Sequence, residues 1–172
     1  MHSSARCSIS ISTRAILAVP WGMIVVFIIA APFLASHSCH NVASVLYYFF
    51  FWVCHQIPER SFMLSGFPLA VCHRCTGIYL GMFIGCFIEN NAVHGGPQTR
   101  RLLVAVAILP LGIDALMPMT GVWTNNVLSR FSTGLLFGIL ISSLVVHGFA
   151  EFMQDAPWRR LIRYLQLKGD LS

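Results

Sequence analysis

Three thiols, two imidazoles and two arginines are concentrated between positions 54 and 75. Cys54-His55-Gln56 is followed by Pro58-Glu59-Arg60-Ser61 and then by Cys72-His73-Arg74-Cys75-Thr76-Gly77. The two-residue gap between Cys72 and Cys75 lets both sulfurs meet one tetrahedral ion. They fall at the start of an expected helix, where free N–H groups and the helix dipole favour thiolate. A loop that returned Cys54 and His55 to that point would complete a Cys3His set: Cys54, His55, Cys72 and Cys75. Four ligands closing one site are the pattern of structural zinc. Two other chemistries use the same residues. Cys72 and Cys75, with Cys54 and Cys39 as a second pair, can pass electrons between a thiol and a quinone. Static disulfides in an oxidising compartment need no further function.

A second group lies deeper in apolar sequence. Asp114 and Arg130 fall in consecutive hydrophobic segments joined by a short turn. An ionised side chain in lipid costs at least about 2.5 kcal/mol unless paired or solvated, so both mark a site or a register-fixing ion pair. Asn126 and Thr133 share or adjoin the Arg130 face by helical spacing. With Arg60, Ser61 and Arg74 from the outer loop, Asp114, Asn126 and Arg130 are expected to form an electropositive pocket beside the thiols. Such a pocket suits an anion, a proton or a headgroup, or the pathway of a small transporter or channel.

The rest of the chain must position these groups, and its composition says how. Of 172 residues, 56% are hydrophobic and 10% charged. Soluble domains carry about 25% charged residues. A chain of this size cannot hide so much apolar surface from water, so an all-α polytopic membrane bundle is expected. The net charge of +5 suits anionic headgroups rather than nucleic acid, because no basic stripe interleaved with aromatics is present.

Within a single membrane domain, 15–149, spans are expected at about 15–35, 71–89, 102–117 and 125–149. The apolar segment 41–54 is short for a full crossing and reads as a re-entrant or short fifth helix. A polar tail, 1–14, precedes this domain. A basic amphipathic tail, 150–172, follows it and suits anionic lipid headgroups. Gly77, Gly81 and Gly85 recur every fourth residue, and Gly134 and Gly138 do the same, which marks faces for close helix packing. Basic residues favour the cytoplasm. Placing Arg100/Arg101 and Arg159/Arg160/Arg163 there puts the thiols at the extracytoplasmic boundary of a multi-pass protein in a bacterial inner membrane.

Two resemblances follow from these residues. The four-span layout with an outer Cys-x-x-Cys is similar to that of membrane disulfide-forming oxidoreductases. The longer pattern is more specific: Cys54-His55-Gln56-x-Pro58-Glu59-Arg60-Ser61, Cys72-x-Arg74-Cys75-Thr76-Gly77-Ile78-Tyr79-x-Gly81, Asp114, and Asn126-x-x-x-Arg130-x-x-Thr133-Gly134-x-x-x-Gly138. Over roughly 45–140 it resembles a family of predicted bacterial and archaeal membrane proteins classed as a domain of unknown function. The family pattern has Gly and Gln soon after the aspartate, where this chain has Ala115 and Pro118. The resemblance implies a small multi-span protein and supplies no activity. It also implies that three cysteines and one histidine, matching Cys54, His55, Cys72 and Cys75, belong to the motif, while Cys39 does not.

Overall fold

A computed structural model describes residues 11–89, 93, 95–121 and 125–155. Five helices are present among them: α1 (Ile11–Ser36), α2 (His40–Phe51), α3 (His73–Gly85), α4 (Pro97–Leu116) and α5 (Val127–Asp155). Between α2 and α3 lie a 3-10 turn, Pro58–Arg60, and a two-stranded hairpin, β1 (Met63–Leu64) and β2 (Phe67–Pro68). The expected basic helix at 158–165 lies outside the described residues.

α1 and α5, with 26 and 29 residues, are long and apolar enough to cross a membrane. α1 spans roughly 39 Å at 1.5 Å per residue, more than the ~30 Å hydrocarbon core. It keeps helical form through Pro20 and Pro32. α2 has 12 residues and reaches only ~18 Å. α3 is shorter than the expected 71–89. Cys72 is still extended, with ψ 164°, and the chain leaves the helix after Cys86. α4 begins earlier than expected, at Pro97. Proline suits the first helical position, where its missing N–H would have had no partner. Arg100 and Arg101 therefore belong to the first five residues of α4.

The helices pack through small residues. A Cβ on Gly77, Gly81 or Gly85 would strike the α5 backbone at Phe131, Leu135 or Ile139. One on Gly134 or Gly138 would strike the α3 backbone at Arg74 or Ile78. The register advances together on both helices, so α3 and α5 run parallel with their N-termini at one end. α4 returns between them in sequence: Arg100 pairs with Glu151 at one end (2.7 Å), and Asp114 meets Ser129 at the other. α1 runs against α3. Arg14 lies 3.4 Å from Glu89, Trp21 stacks near Tyr79, and Ile28 shares a core with Val71.

This arrangement gives the molecule two distinct ends. The starts of α1 and α4 and the ends of α3 and α5 lie together. The end of α1, the thiol segment and the starts of α3 and α5 lie at the other. Large apolar side chains face outward in seven-residue steps: Val19, Val26 and Phe33 on α1, and Leu102, Leu109 and Leu116 on α4, each more than half exposed. Exposed apolar stripes of this extent are costly in water and neutral in lipid.

Candidate metal centre

The thiols are brought together by three pieces of backbone. Cys54 lies just past α2, with its N–H bonded to Phe50 O at 2.9 Å. Gln56 then turns the chain with φ 49°, a left-handed conformation that costs a non-glycine residue about 1 kcal/mol. Its side chain holds the turn in place. Nε2 donates to Tyr47 O at 2.7 Å and to Ala70 O at 2.8 Å, tying the end of α2 to the segment that enters α3. The hairpin adds a second tie, because Tyr47 Oη donates to Pro68 O at 2.6 Å. The hairpin itself turns at Ser65 and Gly66, both at positive φ. Ser61 is buried and donates to Ile57 O, closing the 3-10 turn that presents Arg60.

The Sγ atoms of Cys54, Cys72 and Cys75 lie within 4.8 Å of one another, and all three thiols are free. Thiolates on a tetrahedral zinc, with Zn–S near 2.3 Å, stand about 3.8 Å apart. A contraction of at most about 1 Å would convert the group into three corners of such a site. Cys54 is buried, Cys72 and Cys75 half-buried. Cys72 N–H points at Cys54 Sγ, 3.3 Å away. Hydrogen bonds from the Cys54 and Cys75 thiols, helped by the N–H groups of Cys75 and Arg74, hold Cys72 well below the usual thiol range.

His55 is exposed and lines the same cavity, but its ring nitrogens are not within the thiol group. His73 is buried against Phe62, with ring centroids 4.4 Å apart, and its Nδ1 has no partner. Cys39 is exposed and is not grouped with Cys54.

The polar residues separate into two settings. Arg60, Arg74 and Arg130 line a cavity of about 350 Å³ together with the three cysteines, His55 and Gln56. Asp114 is buried behind it and pairs with Arg74, Nη2 to Oδ2 2.5 Å. The pair expected between Asp114 and Arg130 does not form, because the parallel packing of α3 on α5 brings Arg74 over the end of α4 first. Ser129 donates to the other Asp114 oxygen, and Asn125 donates to the Asp114 carbonyl. Asn126 acts as the cap of α5: its Oδ1 accepts the Ser129 N–H at 2.7 Å.

Gln56, Asn125 and Ser129 were not among the residues expected to build the site. Gln56 had a signal in its place inside the Cys-His-Gln run. Asn125 and Ser129 had none, because helical spacing was counted from Arg130 and so selected Asn126 and Thr133.

Residues 54–144, just over half of the chain, match the family model "Predicted membrane protein (DUF2085)". The chain belongs to this family. The matched segment opens on Cys54 and takes in the thiol group, the arginines, Asp114 and both glycine faces. A protein of Methanocaldococcus jannaschii described as "Uncharacterized protein" is 28% identical over 133 residues, 73% of this chain and 85% of its own length. One of Methanothermobacter thermautotrophicus, described in the same words, is 37% identical over 95 residues, 55% of this chain and 86% of its own length. No solved structure matches. The family, the two long apolar helices and the outward apolar stripes agree on a helical membrane protein.

Proposed function

We propose that the chain is a multi-pass membrane protein in which one metal ion, zinc, is held by Cys54, Cys72 and Cys75. The convergence of three free thiols from two separate elements carries this reading. A disulfide within this group leaves one of its three sulfurs unpaired, and Cys39 is not grouped with them, whereas a tetrahedral ion uses all three. His55, next in sequence to Cys54 and on the same cavity, supplies the fourth ligand through rotation of its exposed side chain. The ion would then staple the end of α2 to the start of α3, a structural role that a short segment with little core of its own requires.

The thiol end faces the extracytoplasmic side of a bacterial inner membrane. At the opposite end lie Arg14, Arg100 and Arg101, and the basic run at 159–168 follows α5 from that end in sequence. Positive residues beside membrane helices favour the cytoplasm. In this reading α1, α3, α4 and α5 are the four spans, with α3 shortened by the loop above it, and α2 is the re-entrant piece. The basic tail contacts anionic headgroups.

Metal analysis of protein purified in detergent tests the assignment. One equivalent of zinc is expected, lost in Cys54→Ser, Cys72→Ser and Cys75→Ser and weakened in His55→Ala. Metal-free protein with a reducible Cys72–Cys75 bond that exchanges electrons with a quinone would replace the metal reading by a thiol–disulfide oxidoreductase. Solute flux in liposomes that depends on Asp114 would replace it by a small transporter or channel.

A further inference from the structure

The end of the molecule that holds the thiols also holds three arginines, which the positive-inside tendency disfavours there in the orientation proposed above. Arg60, Arg74 and Arg130 come from the 3-10 turn, α3 and α5, and converge on one cavity of about 350 Å³. Arg74 is the only one with an ion-pair partner among the described residues, Asp114. Its Nε is nevertheless buried with no acceptor. Among the described residues Arg60 and Arg130 have no carboxylate within ion-pair distance, and they also line a neighbouring cavity of about 230 Å³ together with Glu59. Asp114 is the one carboxylate paired with these three guanidiniums among the described residues, which leaves the main cavity with an excess of positive charge.

We infer that this cavity binds a phosphate-type oxyanion, gripped by Arg60 and Arg130 with Arg74 as the third donor. Guanidinium forks match phosphate oxygens in pairs. Donors approaching from three separate elements suit a tetrahedral anion better than a planar carboxylate, which offers oxygens in one plane only. The cavity is larger than a bare phosphate, so the anion carries an organic group or is the headgroup of a lipid at the membrane boundary. The site stands on the arginines and does not depend on whether the thiols hold metal.

The test uses the full chain in phosphatidylcholine nanodiscs, titrated with inorganic phosphate at constant ionic strength against a chloride control. A second arm uses nanodiscs containing phosphatidic acid. Saturable binding of inorganic phosphate supports a soluble ligand. Binding only of phosphatidic acid supports a headgroup. In either case Arg60→Gln and Arg130→Gln should each weaken binding roughly tenfold or more. Arg130→Lys should fall between, and Arg14→Gln, at the other end, should leave binding unchanged. Metal content should be the same in all four variants, which separates this site from the thiol site. The inference is overturned if neither phosphate nor phosphatidic acid binds, or if both glutamine variants bind as tightly as the parent.

Discussion

Arg74 Nη2 lies 2.5 Å from Asp114 Oδ2, and only this pair links α3 to α4 by charge among the described residues. Asp114 is 9% exposed. Breaking a buried pair by removing one partner leaves the other charge desolvated and costs about 3 kcal/mol or more. Arg74→Ala should therefore destabilise the protein more than the double variant Arg74→Ala/Asp114→Ala does relative to Asp114→Ala. A double-mutant cycle of unfolding in detergent should show a coupling above about 1 kcal/mol. Additive effects would mean that the ion pair contributes nothing to the fold.

The glycine faces predict a different kind of sensitivity. A Cβ at Gly81 would lie inside the contact distance of Leu135 O and 3.0 Å from Gly138 Cα. Both neighbours are backbone, so no side chain can rotate away. Gly81→Val should cost about 1–3 kcal/mol or more, because the two helices must separate. Gly112 has open space around it, so Gly112→Ala should be neutral or stabilising through the lower helix cost of alanine. Equal thermal stabilities for Gly81→Val and Gly112→Ala would contradict the parallel α3–α5 contact.

The glycine rows and the apolar segments were legible in the sequence because each depends on local period. Gly77, Gly81 and Gly85 repeat at the helical interval, and their contact partners, Gly134 and Gly138, repeat in the same way. The pairing of Asp114 was not legible. A short turn makes α4 and α5 neighbours, which suggested Arg130, whereas Arg74 is 40 residues away in sequence and arrives through the α3–α5 packing. The three thiols could be read as a group from spacing. The exposed position of His55 could not, because it is set by the left-handed turn at Gln56 immediately after it.

That turn yields its own prediction. Gln56 Nε2 satisfies two carbonyls, Tyr47 O and Ala70 O, from the segments that carry Cys54 and Cys72. Gln56→Leu keeps the size but removes both donors, leaving two acceptors unpaired at a cost of about 1–3 kcal/mol each where they are dry. Cys54 should then wander relative to Cys72. Zinc affinity should drop roughly tenfold to a hundredfold, as it does when groups supporting a ligand are lost. Competition with a chromophoric chelator would measure it. Parent-like affinity would show that the loop is held by the thiols themselves rather than by Gln56.

The two ends of the molecule can be distinguished by chemical labelling. Cys39 is exposed in the turn between α1 and α2, at the end that holds the thiol group. Gln98 is exposed in the first turn of α4, at the opposite end. If the thiol end is extracytoplasmic, a membrane-impermeant maleimide added to intact spheroplasts should label Cys39. In a Cys7→Ser/Cys39→Ser background, Gln98→Cys should add labelling only after lysis. Cys86 gives an internal control: it is 1% exposed, so it should react only on unfolding. Labelling of Gln98→Cys from outside, with Cys39 protected, would invert the protein. The thiols and arginines would then face the cytoplasm, where thiols are kept reduced. Static disulfides would lose their oxidising compartment in that case, while a thiolate–metal site would be chemically at home on either side.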